Sequence, residues 1–214
     1  MKKRIVCFGD SNTWGYDSKT LSRFSEEIRW PKRLQNLLGE DFEIIEEGLP
    51  GRSSTSDDSL FEGLNGYDYL HPCLMSHAPV ELVIIMLGTN DTKQRFNLTS
   101  YNIAQAITRL ATKAKNTLAG VDNSFAKVLV VIPPPIKAGY INSDIGPSMG
   151  IGCDIKSKDL AKNLRGLLRL QDILYLDTQD YVEMNNIDFM HLDKENHKKL
   201  ADLIYKELVK INIA

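Results

Sequence analysis

The sequence predicts an α/β domain built on a mostly parallel, five-stranded sheet. Three observations carry that reading. Short apolar runs rich in valine and isoleucine recur along the chain, mostly continuous rather than alternating, as strands covered on both faces are. Segments of helical periodicity fall between them, and strand–helix alternation along a whole chain marks a parallel sheet. The 214 residues show no repeat, low-complexity tract or linker, so residues 1–214 read as one domain with a sizeable core.

The elements follow in order. "RIVCF" at 4–8 is the first strand, and it runs straight into Gly9, Asp10, Ser11 and Asn12. Trp30 to Leu38 places Trp30, Leu34, Leu37 and Leu38 on one helical stripe. "FEIIE" at 42–46 is the second strand, followed by a long loop over 48–69 rich in Ser, Asp and Gly. Loops of that length in a compact domain are more often functional than idle. "ELVIIML" at 81–87 is the third strand. Tyr101 to Leu118 carries Ile103, Ile107, Leu110, Ala111 and Ala114 at helical spacing. "KVLVVI" at 127–132 leads into a second long loop, 133–154, which opens on Pro133, Pro134 and Pro135. Ser157 to Leu170 carries Leu160, Leu164, Leu167 and Leu168, "ILYL" at 173–176 is the fifth strand, and Lys194 to Ile211 closes the chain with Leu200, Leu203, Ile204 and Leu208.

Composition narrows the functions. The 26 basic and 28 acidic residues leave a formal net charge of -2, so no strong field draws a polyanion, and nucleic-acid binding finds no support. No apolar run approaches the ~18 residues of a membrane span, and Ile5 to Phe8 is too short for a signal-peptide core. A reducing cytoplasm is the simplest location. Cys7, Cys73 and Cys153 are widely spaced with no Cys-x-x-Cys pair, so the spacing predicts neither a zinc nor a redox site.

Ligands of open parallel sheets bind beyond the carboxyl ends of the strands. There this chain gathers Ser11, Asn90, Asp188, His191 and the glycine-rich "EEGLPGRSS" with Gly48, Gly51 and Arg52. Acyl transfer needs that set. A serine hydroxyl is a poor nucleophile until a base takes its proton. A histidine serves near neutral pH, and a carboxylate orients it and stabilises its charged form. The backbone amides of Ser11 and Gly51 and the side-chain amide of Asn90 are candidate oxyanion donors, each worth roughly 3 to 4 kcal/mol of barrier.

Four blocks carry a resemblance. "GDSN" at 9–12, "GLPGR" at 48–52, "GTND" at 88–91 and "DFMH" at 188–191 resemble, in order, the sequence blocks of the GDSL, or SGNH, hydrolases. "KRIVCFGDSNTWGY", "IRW", "LVIIMLGTNDTK" and "KVLVVIPPP" extend the likeness to the family's bacterial arylesterases and acyltransferases. The resemblance implies a flavodoxin-like three-layer α/β/α sandwich that cleaves small acyl esters, or deacetylates sugars, through an acyl-enzyme with no cofactor and no metal. It implies Ser11 as nucleophile, His191 as general base and acid, Asp188 as its orienting partner, and Ser11, Gly51 and Asn90 as the oxyanion hole. It further implies a homo-oligomer, dimer to octamer, and in some members acyl transfer to alcohols. The chain departs from the family at Asn12, where leucine or isoleucine is common, at Phe189, where glycine is common, and at Tyr16, where close acyltransferase relatives carry a second tryptophan.

Asp10, Asn12, Trp14 and Arg52 are the candidate substrate contacts. Asp10 also reads as an acceptor for backbone amides in the turn or as a helix cap. Arg52 has two readings, a surface pair with Asp57 or Asp58 and a cleft residue. Tyr16, Phe24 and Trp30 read as packing residues. His71 precedes a proline, His77 sits in a loop-like stretch, and His197 is expected on the solvent face of the last helix. Two other classes stay open. Asp10-x-Asn12-Thr13 is slightly similar to the haloacid-dehalogenase phosphatases, although those carry a second aspartate where Asn12 stands. A flavodoxin-like binding module would grip a phosphate at the first helical turn, but it needs no histidine–aspartate pair after the last strand.

Overall fold

Valine and isoleucine at successive positions favour extended backbone. In the computed structural model, which describes residues 2–214, the first run forms β1 (Lys3–Gly9). Phe42–Gly48 forms β2, Leu82–Met86 β3, Lys127–Ile132 β4 and Leu174–Asp177 β5. All four pairings are parallel, in the order β2-β1-β3-β4-β5. That is the flavodoxin-like order, with the switch point between β1 and β3.

Helices cover both faces. Trp30–Leu38 is α1, Gly66–His77 α2, Ser100–Lys115 α3, Cys153–Leu170 α4 and Lys194–Lys210 α5. The period-2 alternation of β1 assigns its side chains to two cores. Val6 and Phe8 pack with Leu70, Leu74, Ile103, Ile107, Leu160 and Leu164 of α2, α3 and α4. Ile5 and Cys7 pack with Trp30, Leu34, Leu200 and Ile204 of α1 and α5. Each buried leucine or isoleucine stabilises the sandwich by roughly 1.5–3 kcal/mol. The central strands are buried on both faces, which is why they read as unbroken apolar runs; the edge strands β2 and β5 are half-exposed.

Two expectations are corrected. Helix α2 occupies the end of the first long loop and the stretch beyond it. Pro72 lies inside it and hides the pattern, because proline removes a backbone donor and disfavours helix at the residue before it. Asn65 caps it, accepting the amide of Tyr67 at 3.0 Å, and Leu70, Cys73 and Leu74 supply its buried stripe. His71 and His77 are therefore helical. His197 points inward: its Nδ1 accepts the amide of Trp30 at 3.3 Å, and burial pushes its pKa down to about 3, so it stays neutral. The charged residues around it in sequence gave no sign of this.

Candidate functional site

Parallel strands send every strand-end loop to one edge of the sheet, and β1 and β3 deliver the central two. Asp10 leaves β1 and accepts the amide of Asn12 at 2.9 Å, capping the helical turn Ser11–Trp14. This supports the capping reading of Asp10. Burial raises its pKa to about 6, opposed by that hydrogen bond and by His191. The turn packs so closely on β2 that a Cβ at Gly48 would lie 2.2 Å from the Trp14 nitrogen. Gly48 is thus more than a turn residue: its missing side chain is the space that Ser11–Trp14 occupies.

The loop after β5 brings the histidine. Asn12 holds it from below: its Nδ2 donates to the Met190 carbonyl at 3.2 Å, and its Oδ1 accepts the Leu192 amide at 2.9 Å. His191 Nε2 lies 2.9 Å from Ser11 Oγ, and its Nδ1 lies 2.6 Å from Asp188 Oδ2. With the Nδ1 proton donated to the carboxylate, Nε2 is left to accept the Ser11 hydroxyl proton. Burial raises the Asp188 pKa, but the His191 hydrogen bond and charge, the Met190 amide and the Asn185 side chain outweigh it, and Asp188 stays below the usual carboxylate range.

Asn185 organises this loop and was missed in the sequence. Its Nδ2 lies within hydrogen-bond distance of Asp188 Oδ1 (3.0 Å), the His191 carbonyl (2.8 Å) and Ser18 Oγ (2.8 Å). Its Oδ1 accepts the amides of Ile187 and Asp188. The only sequence signal is the Asn-Asn-Ile-Asp turn itself. Phe189 stands between the two key residues with φ at +66°, the left-handed region that favours glycine. Its ring fills the space beside Gly139, where a Cβ would come within 2.7 Å of it, and its carbonyl accepts the Lys137 amide at 2.9 Å. Packing thus holds an aromatic residue where glycine is common, and the Asp188–His191 contact survives.

Ser11, Gly51, Asn90 and His191 share the wall of one cavity of about 440 Å³. Gly51 lies at φ +89°. The backbone amides of Ser11 and Gly51 donate to no protein group among the described residues. The Asn90 side-chain nitrogen is buried with no hydrogen-bond partner. An unpaired buried donor costs ~1–3 kcal/mol, and here it belongs to a residue lining the same cavity as the serine. The adjacent Asp91 points elsewhere. Its carboxylate accepts the amide of Ser54 at 2.9 Å and the Ser54 hydroxyl, tying the β3 loop to the Gly51 loop.

None of the four candidate substrate contacts lines this cavity. Asp10 and Asn12 are buried beneath it as described. Trp14 lies outside under Arg23, whose Nε donates to its carbonyl at 2.7 Å. Arg52 takes neither expected position. It is buried, donates to the Gly9 carbonyl at 3.0 Å and to the Glu47 carbonyl, and stacks over Phe8 with its guanidinium carbon 4.2 Å from the ring centroid. It stitches the ends of β1 and β2 together below Ser11, while Asp58 pairs with Arg95. The walls come instead from Tyr16, Phe61, Leu64, Ile145, Met149 and Met190, with Lys93, Glu62 and Ser148 as polar points. Tyr16 is a site residue as well as a packing one: its ring centroid is 4.5 Å from that of His191. A larger groove of about 620 Å³ between α2, α3 and α4 contains no strand-end residue of this set.

Residues 7–199 match the GDSL-like lipase/acylhydrolase family. The structure is similar to that of the native aryl esterase of M. smegmatis, at 35% identity over 97% of this chain and 99% of that one, with a TM-score of 0.87. It is also similar to Est24, a carbohydrate acetylesterase from Sinorhizobium meliloti, at 36% identity over 98% and 100% of the two chains, with a TM-score of 0.89. The lipase/acylhydrolase from Enterococcus faecalis, at 19% identity over 96% and 95% of the two chains and a TM-score of 0.66, shares the fold. A comparison with curated proteins returns no match. Fold and likeness together define an ester-bond hydrolase on a flavodoxin-like sheet. The chain belongs to the GDSL-like lipase/acylhydrolase family. Among the described residues no helix is long and apolar enough to cross a membrane.

Proposed function

We propose that this hydrolase cleaves small acyl esters, acetyl esters foremost, by a two-step serine mechanism. Ser11 Oγ attacks the ester carbonyl as His191 Nε2 takes its proton. Asp188 holds the ring in the required tautomer and stabilises the imidazolium. The tetrahedral oxyanion is received by the amides of Ser11 and Gly51 and by Asn90 Nδ2. His191 returns the proton to the leaving alcohol, and water then attacks the acyl-enzyme with His191 again as base. The observation that carries this reading is the continuous chain Ser11–His191–Asp188, whose first two members line a cavity that Asn90, with its unpaired amide, also lines. A preorganised donor without a ground-state partner is what a developing oxyanion requires.

The apolar walls at Phe61, Leu64, Ile145 and Met149 favour aryl or short alkyl esters. The polar points Lys93, Glu62 and Ser148 support a second reading, deacetylation of sugars, as in the similar Est24. A panel of aryl and sugar acetates separates the two, run on wild type and Ser11→Ala. Ser11→Ala is expected to lower kcat by on the order of 10⁴-fold or more with the fold intact by circular dichroism. A folded Ser11→Ala protein that keeps most of its turnover overturns the assignment. An organophosphate is expected to label Ser11 alone.

A further inference from the structure

The end of β2 and helix α2 bring together three side chains that ester chemistry leaves idle. Cys73 and His77 lie four residues apart on α2, so one face of the helix presents a sulfur and an imidazole together. Glu47, near the end of β2, faces them. One ligand atom from each of Glu47, Cys73 and His77 lies within 4.8 Å of the others, and His77 Nε2 is 2.8 Å from Glu47 Oε1. Cys73 is buried, while the His77 side chain keeps 31% of its surface exposed and opens a path from solvent. None of the three lines the ester cavity.

We propose that Glu47, Cys73 and His77 form a Zn²⁺ site, separate from the ester cavity, with water as the fourth ligand. Thiolate, imidazole and carboxylate are the donors zinc takes in tetrahedral geometry, at roughly 2.0–2.3 Å. Atoms on a tetrahedron of that size lie ~3–4 Å apart, so the observed group closes on a metal with side-chain shifts of about 1 Å. Binding breaks the Cys73 S–H bond and releases its proton to solvent. The thiolate and the Glu47 carboxylate then neutralise the dication. Zinc competes with that proton for the thiolate. The cysteine spacing concealed this site because its third donor comes from a distant strand.

The test titrates Co²⁺, a spectroscopic stand-in for zinc, into the full chain. One equivalent is expected to bind, with a thiolate-to-metal charge-transfer band that Zn²⁺ then bleaches. Cys73→Ser is expected to abolish the band. His77→Gln, at a part-exposed position tolerant of change, is expected to weaken Zn²⁺ binding at least tenfold in chelator competition and to cancel the rise in Tm that Zn²⁺ gives wild type. The absence of a charge-transfer band in wild type, its survival in Cys73→Ser, or unchanged Zn²⁺ affinity in His77→Gln overturns the proposal. None of these outcomes depends on ester turnover.

Discussion

Asn90 has a buried side-chain nitrogen with no partner, and it lines the same cavity as Ser11 and His191. Asp91 beside it accepts from both the amide and the hydroxyl of Ser54. If Asn90 served only to brace the loop, its donor would be used in the resting structure. A transition-state donor is idle until the oxyanion forms. Asn90→Ala is therefore expected to lower kcat by ~10²–10³-fold with little change in KM. Steady-state kinetics on an aryl acetate decide it, and a rise in KM alone argues for a substrate-binding role instead. Asn12 differs in kind. Both ends of its amide are spent on the backbone of the histidine loop, which gives a polar side chain a use at this buried position.

Among the elements, the loop over residues 185–191 determines whether the histidine meets the serine. Asn185 ties its two ends, since both its backbone amide (2.7 Å) and its side chain reach the His191 carbonyl. Asn185→Ala removes the acceptor of the Ile187 and Asp188 amides and the donor to Asp188. With hydrogen bonds to a charged group worth ~1.5–3 kcal/mol, the variant is expected to lose about 2 kcal/mol in urea unfolding and to lose turnover out of proportion to its stability. Stability loss with full turnover would mean that Asn185 does not position His191. Gly48 tests the other side of the site. A methyl group there meets the backbone of Thr13 and Trp14, which cannot yield as a flexible side chain would. Gly48→Ala is expected to cost ~3 kcal/mol, at the upper end for overpacking, read from the shift in urea midpoint.

For the whole molecule, the buried Asp10 connects the site to global stability. Its folded pKa, about 6, stands above the ordinary 3.8. A raised carboxyl favours the folded state fully below its unfolded pKa, and this contribution is lost as pH rises through the folded value. Ionised Asp10 therefore burdens the fold above pH 6. Asp10→Asn keeps an oxygen for the Asn12 amide and carries no charge. It is expected to be more stable than wild type at pH 8, by up to about 3 kcal/mol, with the gap closing toward pH 4. Thermal unfolding across that range checks the sign; a gap that widens toward acid would refute it. Asp188 runs the opposite way, since its lowered pKa contributes stability above the ordinary carboxylate range that is lost on acidification.

By itself the sequence determined the mostly parallel α/β sheet and the main chemical groups of the site, while the three-layer sandwich was implied by the family resemblance. Continuous Val/Ile runs specify doubly covered strands, helical stripes specify their covers, and parallel topology then sends Ser11, Gly51, Asn90 and His191 to one edge. These are short-range signals of periodicity and turn chemistry, and they survive without knowledge of neighbours. Only the tertiary structure decided which face His197 turns to, that Arg52 is a buried clamp, that Pro72 sits within a helix, and that Tyr16, Phe61, Ile145 and Met149 enclose the cavity. The same holds for Glu47, Cys73 and His77, which meet across two elements. The physical reason is that a side chain's surroundings are set by packing between distant segments. No local pattern records that packing, because the same residue in the same local context can face either solvent or core.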